Sequence, residues 1–300
     1  MTSVSYREPP PREGLGRRLS TFLFRHPRVR LGALLASPLA WLGIAYLGSL
    51  AVLFYTALWR LDPFTSQVVH DVSLDNFRTL WEEDVYPRIA LRTVGLAAAV
   101  TITDALVAFP IAYYMARVAS RRTRGLLIVA ILTPLWASYL VKVYAWRTIL
   151  AGEGILNWAL DPIGLHGPGY TTTGTWLVFT YLWLPYMILP IYAGLERIPA
   201  SMFEASADLG ARGVRTFSRV VLPLVFPALV AGSIFTFSLT LGDYITPQVV
   251  GNTSFIGNVV YTNVGVANNL PFAAAFATVP VLIMVVYLAL AKRAGAFENL

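Results

Sequence analysis

Hydrophobic positions along this chain gather into six long runs, at about residues 32–59, 91–116, 126–150, 174–195, 222–242 and 271–291. An α-helix needs about 20 residues to cross a hydrocarbon core, so the pattern predicts an all-α integral membrane protein with six spans. Proline lies inside several runs, at Pro38, Pro110, Pro134, Pro185, Pro190, Pro227 and Pro280. It kinks a helix, and a membrane tolerates it only where neighbouring helices or water take up the freed backbone groups. A bundle lining a pathway is the expectation. Between the runs, "GEGILNWALDPIGL" and "FIGNVVYTNVGVANN" are apolar enough to lie against the bundle as short interfacial or re-entrant pieces, but too short to span.

The polar positions orient the bundle. Arg17, Arg18, Arg25, Arg28 and Arg30 precede the first run, and Arg117, Arg121, Arg122 and Arg124 join the second to the third. Arg197, Arg212, Arg215 and Arg219 join the fourth to the fifth, and Lys292 and Arg293 follow the last. The alternate connections at 151–173 and 243–270 carry no Lys or Arg, and 60–90 offsets its few arginines with six acidic residues. The positive-inside rule then puts both termini and the arginine-bearing connections in the cytoplasm. Residues 1–30, with "EPPPREGLGRR", read as a disordered basic cytoplasmic tail, and 31–295 as the membrane domain.

Composition agrees and removes most alternatives. Residues of hydrophobic type make up 56% of the 300 and charged ones only 13%, which a soluble domain could not bury without exposing large apolar patches. There is no cysteine, and His26, His70 and His166 are far apart, so neither thiol chemistry nor a metal site is expected. The net charge of +7 is carried by arginines flanking apolar runs, which points to membrane lipid as a partner and not to nucleic acid. The two lysines, Lys142 and Lys292, stand in no phosphate-binding loop, and no hydrolase signature is present. No catalytic residue and no cofactor are expected in this chain.

One polar, helix-prone stretch interrupts the apolar pattern: "EASADLGARGVRTFSRVVLP", residues 204–223, within the connection 196–222. Pro199 can open a helix, Met202, Ala205 or Ser206, and Leu209 recur at helical spacing, and Gly210 offers a left-handed stop. Val214, Phe217 and Val221 then form a second stripe before Pro223. The segment predicts two short helices bent at Gly210, with Glu204 and Asp208 on the first and Arg212, Arg215 and Arg219 on the second. By pattern alone it reads equally as a solvated loop or as a docking device.

The spacing E-A-S, three residues, Gly, nine residues, V-V-L-P resembles the coupling loop of binding-protein-dependent ABC importer permeases, whose form is E-A-A, three residues, G, nine residues, I-x-L-P. Ser206 and Val220 depart from that form by small steric changes. "TPLWASYLVKVYAW" (133–146) and "LGDYITPQVVGN" (241–252) further resemble the B-type permease of spermidine/putrescine importers, a pattern shared with carriers of other small cations, opines or iron. The resemblance implies the six-helix type I importer fold, residence in a bacterial cytoplasmic membrane, and a homologous second permease. It also implies an ATPase dimer that carries ATP and Mg, an extracytoplasmic solute-binding protein, and a coupling role for Glu204, Ala205, Asp208, Gly210 and Arg212. A self-contained secondary transporter would need no such loop.

For the cargo path the chemistry offers several candidates, each with two readings. On one continuous helix Trp136, Tyr139, Val143 and Trp146 share a face, as packing and an interfacial belt or as an aromatic lining that attracts ammonium by about 0.5–2 kcal/mol per contact. Tyr181, Trp183 and Tyr186 pose the same choice. Asp104 and Lys142 lie within spans, each costing about 2.5–3.5 kcal/mol at a helix centre, so each is a structural partner or lines a cavity. Asp243, beside Tyr244 in a segment with no balancing Lys or Arg, reads as an unpaired carboxylate facing a vestibule or as a helix cap.

Overall fold

A computed structural model describes residues 24–293. The expected tail lies outside the described residues as far as position 23, and from Pro27 the chain is helical. Helix α1 (Pro27–Thr56) takes Pro27 in its first turn, where the missing N–H costs nothing, and widens into a π-helical turn at Leu42–Leu47 just after Pro38.

Beyond it a two-residue hairpin, β1 (Arg60–Leu61) against β2 (Val68–Val69), leads to α2 (Asp75–Glu82). Then come α3 (Val85–Val118), α4 (Arg121–Trp136), α5 (Tyr139–Leu150) and α6 (Ile155–Leu160). They are followed by α7 (Thr172–Glu196), α8 (Ala200–Asp208), α9 (Gly213–Gly242), α10 (Ile245–Val250), α11 (Ile256–Gly265) and α12 (Leu270–Arg293). Among the described residues α1, α3, α7, α9 and α12 are each long and apolar enough to cross a membrane, close to the runs predicted for them.

The third predicted span differs. Residues 126–150 do not form one helix: α4 and α5 meet at 95°. Ala137 and Ser138 adopt extended backbone at the joint, three residues after Pro134. Counted together the bent pair makes the sixth span.

Helix α7 is the centre of the bundle, with α3 and α9 packed along it. One apolar cluster joins Ala112 and Met115 of α3, Ile188, Ile191 and Leu195 of α7, and Val221 and Val225 of α9. A second, at the opposite end, joins Leu96 and Val100 to Val178, Phe179 and Leu182 and to Val143 of α5. The approach of α7 to α9 depends on small residues, as helix pairs in lipid commonly do. A Cβ added at Gly194 would stand 2.6 Å from the Ala228 Cβ, and one at Gly232 would stand 2.8 Å from the Met187 Sδ.

Candidate functional site

The polar stretch after α7 folds into the expected helical hairpin. α8 ends at Gly210, whose φ of +72° is the left-handed conformation that glycine alone adopts without strain. The Gly210 N–H donates to the Ala207 carbonyl at 2.8 Å and the Ala211 N–H to the Ser206 carbonyl at 3.0 Å, which closes the end of α8. Across the bend the hydroxyls of Ser206 and Thr216 are 2.8 Å apart, and Ser206 is buried. The departure from alanine at Ser206 therefore supplies a hydrogen bond that pins the two arms together.

The second arm is not a separate helix. α9 runs unbroken from Gly213 to Gly242, with a π-helical turn at Phe217–Val221 that admits Pro223 without a break. Anything that moves Gly213 thus acts directly on a membrane helix.

The outward face of the hairpin is unusual. Met202, Leu209 and Val214 are exposed, Leu209 at 88% and Val214 at 82%. Glu204, Ala205, Asp208 and Arg212 are exposed beside them, and none of the three charged residues has an ion-pair partner among the described residues. Arg212, Arg215 and Arg219 line an open pocket of about 580 Å³ together with Gly210 and Val214. The predicted apolar stripe of α8 faces out; the inward contacts belong to Phe203 and Ser206. Arg117 of α3 lies over the Phe203 ring at 4.5 Å, and Phe109 of α3 meets Phe217 edge-on at 5.2 Å.

The expected path residues do not form one group. The bend at Ala137–Ser138 divides the aromatic stripe, leaving Trp136 at the end of α4 and 90% exposed, while Tyr139 and Trp146 pack on the cluster around α7. Trp183 is the hub of that cluster: Tyr139 stacks on it at 6.1 Å, Tyr186 leans against it at 6.1 Å, and Tyr186 in turn stacks on the half-exposed Phe235 at 6.3 Å. Phe235 escaped the sequence reading because a lone Phe in an apolar run carries no signal of its own.

Asp243 is not an unpaired carboxylate. Its Oδ1 accepts from the N–H groups of Ile245 (2.8 Å) and Thr246 (3.2 Å), capping α10, and its Oδ2 accepts from the Thr246 hydroxyl (2.8 Å) and from the Tyr139 hydroxyl. These four donors tie the end of α9 to the start of α5, and fill the acceptor sites that an ammonium would need. Tyr244 stacks on Tyr261 at 4.6 Å at the wall of an apolar pocket of about 360 Å³.

Asp104 is 0% exposed, and neither carboxylate oxygen has a hydrogen-bond partner among the described residues. Thr180 Oγ1 and Trp183 Nε1 of α7 are likewise buried and unpartnered. Lys142, half-buried on α5, forms no ion pair among the described residues, so it does not neutralise Asp104. No cluster able to hold a metal ion occurs among the described residues.

A bent helix pair outside an apolar bundle runs without a break into one of its membrane-crossing helices. Residues 105–295 match the family described as binding-protein-dependent transport system inner membrane component, and the chain belongs to it. It is 47% identical to the inner membrane ABC transporter permease protein YdcU of Escherichia coli, over 99% of this chain and 100% of that one. It is 26% identical to the spermidine/putrescine transport system permease protein PotB of Haemophilus influenzae, over 76% of this chain and 81% of that one. In structure it resembles a chain of a bacterial alginate ABC transporter solved in complex with an alginate pentasaccharide-bound periplasmic protein, with a TM-score of 0.73, 16% identity, and coverage of 92% and 96%. The protein is thus an ABC transporter permease, a multi-pass inner-membrane subunit of a binding-protein-dependent system and a transport component in place of an enzyme.

Proposed function

We propose that this permease forms half of the translocation path of an ATP-driven importer for polyamines such as spermidine and putrescine, with both termini in the cytoplasm. The hairpin 196–222 seats in a groove of a separate ATPase subunit, which holds the ATP and Mg that this chain has no loop to bind. The carrying observation is the exposed face of that hairpin. Met202, Leu209 and Val214, among charges with no partner of their own, form an apolar patch outside the bundle that association with another protein would cover. A homologous second permease completes the path, and a solute-binding protein delivers the cargo on the opposite side. When the ATPase dimer closes, the hairpin moves as a rigid body and the spans above it tilt toward the outward-open state.

The polyamine reading draws on the names of relatives such as PotB and on the chemistry of the core. Asp104 is a buried carboxyl group with no ion-pair or hydrogen-bond partner among the described residues, on the helix that packs on α7, whose Trp183 and Tyr186 offer aromatic faces. An ammonium arriving between parted helices would supply the missing charge and gain cation–π attraction. The path would then involve Asp104, Trp183, Tyr186 and Phe235, with Asp243 and Tyr139 as a latch beside it.

The test is reconstitution of the complete system in vesicles. ATP-dependent uptake of labelled spermidine or putrescine, abolished without the binding protein, is expected. Uptake driven by an ion gradient without ATP would overturn the importer reading. ATP-driven uptake of an anionic or neutral solute alone would overturn only the cargo.

A further inference from the structure

Arg117 was counted above as one of several loop arginines, but its side chain is turned into the protein. From the last turn of α3 its guanidinium donates to the carbonyls of Leu195, at 2.5 Å, and Ile198, at 2.7 Å, at the end of α7. The Leu195 carbonyl also accepts from the Ile198 N–H at 3.3 Å, and a cation at this helix end meets the negative end of the helix dipole. The same guanidinium covers the ring of Phe203 on α8, the residue before Glu204. One side chain of α3 thus touches both α7 and α8.

A second arginine extends the connection. Arg124 of α4 donates to the carbonyls of Met115 (2.9 Å) and Ala116 (3.3 Å), capping α3, and pairs with Glu196 at 3.3 Å. Glu196 also accepts from the Tyr192 hydroxyl at 3.0 Å. Polar contacts therefore join the near ends of α3, α4 and α7, and the Arg117 guanidinium over Phe203 ties that assembly to the first arm of the hairpin, which the chain itself connects only to α7 and α9.

We propose that Arg117 is a transmission residue. It makes α8 move as one body with α3 and α7, so that displacement of the hairpin is delivered to α3 as well as to the helices covalently continuous with it. This rests on the reading that an ATPase docks on the hairpin. Arg117 acts as a positioning residue, because Phe203 and the two carbonyls, and not the cargo, are its partners.

The experiment uses the complete complex in vesicles and measures three quantities: ATPase association, ATP hydrolysis and solute uptake. Arg117→Met, which keeps an unbranched apolar stem but none of the donors, is expected to leave association unchanged and to raise ATP hydrolysed per solute imported by about tenfold or more, since both hydrogen bonds of the guanidinium are lost. Arg117→Lys, which keeps the charge, is expected to recover part of the ratio. Phe203→Leu removes only the ring beneath the guanidinium and should raise the ratio less, which keeps the test available if Arg117→Met fails to insert. Because the chain has no cysteine of its own, spin labels on Val118→Cys and Ala207→Cys can report the α3 to α8 distance directly. It should stay narrow in the parent and broaden with Arg117→Met. An unchanged ratio, uptake and hydrolysis falling in proportion, or loss of ATPase association would each overturn the transmission role. A parent complex that binds no ATPase would instead overturn the docking reading.

Discussion

At Gly210 backbone conformation can be tested apart from packing. A Cβ built there meets nothing within 4 Å, and φ is +72°. Substitution therefore brings no clash, and neither closing bond of α8 involves a side chain. The remaining cost is that of holding an L-residue in the left-handed region, about 1–2 kcal/mol for Gly210→Ala. It should approach about 3 kcal/mol for the β-branched Gly210→Val and be smallest for Gly210→Asn, whose short polar side chain tolerates this conformation. If the bend must be formed for an ATPase subunit to seat, that cost appears in the association constant, and Ala should weaken binding by about 5- to 30-fold. Titrating purified ATPase subunit onto the four permeases at fixed lipid and salt should give the order Gly, Asn, Ala, Val from tightest to weakest. Equal affinities across the series, or Asn weaker than Val, would refute the reasoning, since no steric account of an open position yields the expected order.

Glu204→Lys should abolish co-purification with the ATPase while membrane insertion stays normal, because an exposed contact charge is reversed; retained co-purification would remove Glu204 from the interface. Asp243→Asn should lower the melting temperature of the purified permease, since its amide group faces donors where a carboxylate oxygen accepted, at a cost of about 1.5–3 kcal/mol. Tyr139→Phe should cost less, because it removes a single donor, and unchanged melting in both variants would mean that the latch contributes nothing. Gly194→Val should push α7 from α9 and cost about 1–3 kcal/mol, with partial rescue by Ala228→Gly; melting curves of the single and double variants decide it.

Hydropathy made the long helices legible because a lipid-crossing helix must be apolar over its whole length. It could not show the break between α4 and α5, since Ala137 and Ser138 read as part of the same run and Pro134 lies inside α4 without ending it. The aromatic stripe failed with the helix it assumed. The bend of the hairpin was legible at Gly210 because positive φ has one usual occupant. Its inward face was not, since Met202 and Leu209 are turned outward against the ordinary rule while Phe203 and Ser206 face in. For Asp243, read as a vestibule carboxylate or a helix cap, and for Arg117, read only as a loop arginine, the sequence could not name the partners. Their partners, Tyr139 and the α7 carbonyls, are 104 and about 80 positions away in sequence, and no local pattern reveals them.

The distribution of polar contacts also decides where the bundle can open. At the hairpin end Arg117 and Arg124 join α3, α4 and α7, Arg117 covers Phe203 of α8, and α9 grows directly out of the second arm. A displacement of the hairpin meets no free joint there. From there α7 and α9 pack closely through Gly194 against Ala228 and Gly232 against Met187. Beyond these contacts lie the buried atoms without partners, Asp104, Thr180 and Trp183, and then the bonds of Asp243 that hold α9 to α5. If an ATPase moves the hairpin so that α3, α7 and α9 part around Asp104, water or a cation would solvate a buried carboxyl group that has no hydrogen-bond partner among the described residues.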